Sequence, residues 1–272
     1  MLDETRITEI AAELDVARRD RAQVPLLTTR NPGMTVEDAY AIQGINIARR
    51  REAGATVIGR KVGLTSKPMQ QMLGVSEPDY GILFDDMYVE EGDEVDLGRL
   101  IQPRIEAEIA FVLQDDLVGP GITAPRALAA VAGVLPALEI VDSRVVDWRI
   151  KLVDTVSDNA SCGLLTVGAR ITPVAGLDLR LLGMALTRNG ETIDSGAGAA
   201  ALGNPARCVA WLANKFATFG ESLHAGDIIL PGAVHRMVPV APGDVFRADF
   251  ARLGPVTVAF SSSSSSSGEA AA

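Results

Sequence analysis

Glu106 and Glu108 stand two residues apart in the run Ile105 to Leu113. If that run is a strand, Ile105, Ala107, Ile109 and Phe111 share one face and the two glutamates share the other. Carboxylates held side by side repel, so one must take up a proton unless a cation lies between them. For a Glu-x-Glu pair taken alone, a solvated outer face is the plain alternative. A third acid weighs against it. Glu139 sits inside the apolar run Val134 to Val141, where an unpartnered carboxylate is costly. A divalent cation shared by Glu106, Glu108 and Glu139 would satisfy all three.

Lys61 lies between Gly59 and Gly63 in a stretch that is otherwise mostly apolar. On a strand the two glycines share its face and leave open floor beside the ammonium group, although a lysine snorkelling from a strand end reads equally well. Glu77 to Gly81 is either a surface turn or a loop that carries Asp79 over a pocket. Asp154 to Ser161 is a polar segment between apolar ones and reads first as a capping loop.

Two glycine patterns are set aside. Gly196 to Ala201 imitates a dinucleotide fingerprint, but a hairpin precedes it where a strand–turn–helix unit is required. Gly54 to Lys61 imitates a phosphate loop, yet Arg60 and Lys61 stand where Lys-Ser/Thr is needed, and a strand follows rather than a helix.

The only histidines are His224 and His235, outside any Cys/His ligand spacing, so a metal would be held by oxygen. That favours Mg²⁺ or Mn²⁺, ahead of Ca²⁺ because no Asp-rich loop of the EF-hand kind is present. The formal net charge of -10 opposes nucleic acid and anionic membranes as partners. Residues 1 to 18 lack the apolar core of an export signal, and no run is long and apolar enough to span a bilayer, so a cytoplasmic location is expected. Cys162 and Cys208 are then expected as buried thiols.

These residues need a scaffold. Ile7, Ile10, Ala11, Leu14 and Ala17 recur at helical spacing, and Thr35 with Asp38 marks the start of a second helix that can run to Gly54. From Thr56 onward the texture changes to short β-like runs: Thr56 to Val62, Ile105 to Leu113, Leu135 to Val141 and Met184 to Thr187. Asn189-Gly190 signals a hairpin to Glu191–Asp194, Ala199 to Phe219 reads as a helix with Asn204-Pro205 near its start, and Val256 to Phe260 is a closing strand. The division expected is a helical segment 1–54, a β-rich catalytic domain 55–260 and a Ser-rich flexible tail 261–272.

Taken in order, Gly59 to Thr65, Glu77 to Gly81, Ile105 to Phe111, Ala137 to Arg144, Asp154 to Ser161, Gly196 to Pro205 and Ala210 to Asn214 resemble the fumarylacetoacetate hydrolase superfamily. Within it they resemble the hydratase/decarboxylase branch of aromatic meta-cleavage pathways. The resemblance runs from about residue 35 to residue 260. It implies an α+β fold with a mixed, rolled β-sandwich, N-terminal helices packed beside it, and homo-oligomers. It also implies Mg²⁺ or Mn²⁺ at the three glutamates, with Lys61, Asp79 and Ser161 at the substrate. One departure stands out: Val234-His235-Arg236 occupies positions where small or hydroxyl residues are usual, at the expected substrate tail.

The activity implied is hydration of 2-hydroxypenta-2,4-dienoate (2-keto-4-pentenoate) to 4-hydroxy-2-oxopentanoate. Its rivals are decarboxylation of 2-oxo-3-hexenedioate (4-oxalocrotonate) and hydration of a longer 2-oxo-enoate. From a different class, the chain could be a non-catalytic partner subunit, and association with a pathway aldolase or decarboxylase fits either case.

Overall fold

The computed structural model describes residues 1–67, 70–71 and 74–262. The chain opens with helices. In α1 (Glu4–Asp20) Asp3 caps the start by accepting from the Arg6 N–H, and α2 (Leu27–Arg30) is a single turn. α3 (Val36–Glu52) begins with a reciprocal cap, Thr35 accepting from the Asp38 N–H and Asp38 from the Thr35 N–H. The apolar stripe Ile10, Ala11, Leu14 and Ala17 packs on Ile42 of α3 and on Val145, so the N-terminal helices share a core with the later chain.

The strands follow in chain order: β1 (Val57–Gly63), β2 (Asp79–Phe84), β3 (Glu94–Val95), β4 (Arg104–Leu113), β5 (Val131–Val141) and β6 (Cys162–Val167). After them come β7 (Gly183–Arg188), β8 (Glu191–Ala197), β9 (Ile228–Leu230), β10 (Val238–Pro239), β11 (Val245–Phe250) and β12 (Gly254–Phe260). Between strands lie α4 (Ala124–Ala129), α5 (Leu152–Ser157) and α6 (Pro205–Ala217).

Among the described residues one sheet runs β2-β1-β9-β4-β5-β6, with β10 also on β4, and a second runs β3-β12-β11-β7-β8. Both are mixed, since β1 and β9 are parallel, as are β12 and β3. β11 alternates between buried Phe246, Ala248 and Phe250 and exposed residues, as a strand covered on one face must. Those side chains and Val256, Val258 and Phe260 of β12 join one core with Leu138, Ile140 and Leu165 of the larger sheet. This is the α+β architecture, with N-terminal helices, expected from sequence.

Two local readings differ. Asp154 to Ser161 is not one polar loop: Leu152, Val153 and Val156 sit at helical spacing and form α5, which packs on Ala39 of α3. Asp154 caps it and also accepts from the Thr28 N–H at 3.0 Å. The helix read over Ala199 to Phe219 is shorter, Pro205 to Ala217: it starts where Asn204-Pro205 marks the start, Asn204 supplying the cap after Leu202 and Gly203 take positive φ. The proposed tail is described only at Ser261 and Ser262; residues 263–272 lie outside the described residues.

Candidate metal centre and active site

β4 and β5 pair antiparallel over their length, with Glu106 directly opposite Glu139 and Glu108 opposite Ala137. Residues opposite one another in such a ladder hold their Cβ atoms about 5 Å apart. The three carboxylates therefore converge, and one oxygen from each lies within 4.8 Å of the others. Glu108 and Glu139 are buried and Glu106 is partly buried. Burial and the Glu139 charge push the Glu106 carboxyl up to about 7, and burial with both neighbouring glutamates pushes Glu108 well above its ordinary value.

Lys61 reaches this cluster because β9 is short. β9 separates β1 from β4 as far as Leu230, which is level with Lys61. The buried Lys61 Nζ stands 3.5 Å from Glu139 Oε1. Burial, the largest single influence, opposes its ammonium form, but the charges around it, Glu139 first with Asp79 and Glu106, together outweigh it, so Lys61 is shifted upward and stays charged.

Asp79 begins β2 opposite Gly63. The absence of a side chain there is required, since a Cβ on Gly63 would lie 2.1 Å from Asp79 Oδ1. That oxygen is buried without a hydrogen-bond partner, and burial raises the carboxyl above its ordinary value although Lys61 opposes the shift.

Ser161 ends a strained turn. Asn159, Ala160 and Ser161 take φ of 51, 52 and 56°, a left-handed run that costs non-glycine residues about 1–2 kcal/mol each. Its surroundings hold it. Arg144 donates to the carbonyls of Asp158 (2.7 Å) and Cys162 (2.9 Å), bracketing the turn, and forms a buried ion pair with Asp158. Asn159 acts as a strand partner to Ile82 of β2, accepting its N–H at 2.8 Å and donating to its C=O at 2.9 Å. The buried Ser161 hydroxyl hydrogen-bonds Thr155 Oγ1 at 3.3 Å.

Thus the three glutamates converge, Lys61 contacts Glu139, Asp79 is buried within their electrostatic reach, and Ser161 sits on a turn anchored to β2. Arg144 and Asn159 carry no role in the sequence reading, and His235 enters it only at the expected substrate tail; all three act here through backbone contacts. The one signal available was Asn159, a residue that tolerates left-handed φ, inside a polar run.

The donor set fits a divalent cation. Glu108 Oε1 and both Glu139 oxygens are buried without hydrogen-bond partners, three like charges crowd one point, and a single lysine cannot neutralise them. All the donors are hard oxygens.

Residues 51–260 match the family model described as fumarylacetoacetate (FAA) hydrolase C-terminal. The chain belongs to the fumarylacetoacetate hydrolase family. Among curated relatives, a 2-keto-4-pentenoate hydratase of Paraburkholderia xenovorans (strain LB400) is 49% identical over 254 residues, covering 93% of this chain and 94% of the relative. A 2-hydroxyhexa-2,4-dienoate hydratase of Comamonas testosteroni is 47% identical over 263 residues, covering 96% and 99%. Among solved structures, 4-oxalocrotonate decarboxylase from Pseudomonas putida G7, complexed with magnesium and adipate, superposes with a TM-score of 0.92 at 39% identity, covering 96% of this chain and 99% of that one. Among the described residues of this fumarylacetoacetate hydrolase relative, no helix is long and apolar enough to cross a membrane.

Proposed function

We propose that the chain is a hydro-lyase that adds water to 2-hydroxypenta-2,4-dienoate, giving 4-hydroxy-2-oxopentanoate in aromatic catabolism. The observation that carries this reading is the buried convergence of Glu106, Glu108 and Glu139 with Lys61. The names of the hydratases at 47–49% identity over nearly the full chain support it.

Glu106, Glu108 and Glu139 would hold a divalent cation, with Mg²⁺ or Mn²⁺ the proposed ion. The magnesium complexed by the Pseudomonas putida G7 decarboxylase supports this assignment. When bound, such an ion supplies Lewis acidity toward a chelating 2-oxo acid. Lys61 adds positive charge at the substrate's C2 oxygen, where negative charge grows as the dienol rearranges. Asp79, whose carboxyl burial raises above its ordinary value, gives its proton to C5, leaving a C3–C4 double bond conjugated to the C2 ketone. Water then adds its hydroxyl to C4, the Asp79 carboxylate accepting the proton that the water loses, and C3 takes a proton from solvent in exchange for the one the C2 hydroxyl released to it. Ser161 orients substrate or water.

A second reading, decarboxylation of a six-carbon dicarboxylate, is favoured by the name of that solved relative and the adipate it holds. The geometry at the expected substrate tail weighs against it. A second carboxylate needs a cation, yet the Arg236 side chain is 93% exposed and lies 3.9 Å from Asp194, while the neighbouring His235 is fully buried and held below its ordinary pKa by burial. The test is turnover of metal-stripped enzyme. Mg²⁺ should restore loss of the dienoate absorbance, and activity indifferent to the metal would overturn the reading.

A further inference from the structure

Among the described residues, the edge of β4 that faces away from β5 pairs with other strands only at its ends. β10 meets it at Ile105 and Arg104, and β9 meets it at Phe111 and Val112. Between those contacts lies Ala107, with Glu106 and Glu108 on either side. Its carbonyl accepts from the Val234 N–H at 3.0 Å, but its N–H donates to no backbone oxygen. It donates to Nε2 of His235, at 2.8 Å. Nearby, Gly232 takes a φ of +106° after Pro231, which breaks the strand and lets its N–H reach Glu108 Oε2 at 2.7 Å.

The imidazole is held in one state. Because Nε2 accepts, the proton of the neutral ring sits on Nδ1. Nδ1 is buried without a hydrogen-bond partner and faces Asp194 Oδ2 at 3.8 Å. Asp194 and Gly196 lie two apart on β8 and so share a face. A Cβ on Gly196 would lie 1.9 Å from the Val234 carbonyl, so the loop is seated directly on that strand. The loop between β9 and β10 is thus clamped between the two sheets, and the clamp closes on the residue that separates two of the three glutamates.

We propose that His235 is a positioning residue for the cation site. Its Nε2 stands in for the absent strand partner of Ala107 and thereby fixes Glu106 and Glu108 relative to Glu139. The role rests on the reading of the three glutamates as that site. Loss of the acceptor leaves a buried N–H without a partner at the centre of the carboxylate pair, so the strand and the loop separate there. The effect appears in cation affinity before any chemistry occurs, because His235 acts through the Ala107 backbone and is not one of the three ligating acids.

The test is Mn²⁺ titration of the metal-free, full-length chain, followed by calorimetry or paramagnetic resonance. Partners that orient metal ligands usually contribute about 10- to 100-fold in affinity. His235→Leu, of similar bulk but without an acceptor, should weaken Mn²⁺ binding about tenfold or more with an unchanged circular dichroism spectrum. His235→Gln, which restores an acceptor, should bind within about threefold of the parent. Wild-type affinity in His235→Leu, or equal weakening in both variants, overturns the positioning role. If His235→Leu does not fold, Asp194→Ala decides: it frees the ring's orientation from a partly exposed site and should weaken binding, and unchanged affinity there overturns the role. Glu139→Gln separates the two claims. If it binds Mn²⁺ like the parent, the cation site itself is wrong and the His235 role falls with it. If it does not bind while His235→Leu does, only the positioning role is lost.

Discussion

Glu106 and Glu139 face each other across one rung of the β4–β5 ladder, so two acids share a position where a sheet ordinarily pairs apolar or oppositely charged side chains. Without a cation that rung is repulsive. Glu106→Gln should therefore leave the metal-free protein no less stable than the parent. With Mg²⁺ at about 100 times its Kd the parent gains roughly 2.7 kcal/mol and the variant gains far less. Melting temperatures with and without Mg²⁺ check this, and equal stabilisation of both proteins would remove Glu106 from the site.

Lys61 is expected to act on the substrate rather than on folding. Its ammonium is buried 3.5 Å from Glu139, on the strand position level with the last residue of β9. Loss of one preorganised charge of this kind typically lowers turnover by about 10² or more. Lys61→Met should fold in Mg²⁺, by circular dichroism, and show that loss in kcat. A misfolded variant would instead assign Lys61 to the core.

Gly63 is the least conspicuous position with a large expected effect. Alanine there fits strand geometry, yet its Cβ would fall 2.1 Å from Asp79 Oδ1 and force the acid aside. Displacing a general acid costs about 10²–10⁴-fold in rate. Gly63→Ala should thus bind Mn²⁺ normally and lose kcat by about that factor. Parental kcat in Gly63→Ala would mean that Asp79 carries no proton in the reaction.

Much of this site is legible in the chain because its logic is local. Period-two alternation puts Glu106 and Glu108 on one face, and a carboxylate inside Val134 to Val141 announces an unmet need, so Glu139 stands out. The N-terminal helices are legible because Thr35 and Asp38 cap α3 within four residues. What stays hidden depends on distant backbone. Asn159 completes a strand edge for Ile82, 77 residues away, and His235 does so for Ala107, 128 residues away. No local pattern marks a side chain that replaces a missing strand. α5 was hidden for a related reason, since its apolar residues begin at Leu152, ahead of the polar run that draws the eye.

The alternation at the β9–β10 loop, with the His235 side chain fully buried and the Arg236 side chain 93% exposed, leads us to expect a short substrate. The five-carbon dienoate should give a higher kcat/KM than the six-carbon dicarboxylate, and Arg236→Ala should change neither appreciably. A preference for the dicarboxylate that disappears in Arg236→Ala would place that guanidinium on the substrate and favour decarboxylation.

The most direct measurement is the mass of the product formed by the metal-loaded enzyme from 2-hydroxypenta-2,4-dienoate and, in parallel, from 2-oxo-3-hexenedioate. The account predicts a product one water heavier than the pentadienoate, formed only with a divalent cation present, and little CO₂ from the dicarboxylate. Rapid CO₂ release from the dicarboxylate, with the pentadienoate left unhydrated, would contradict it.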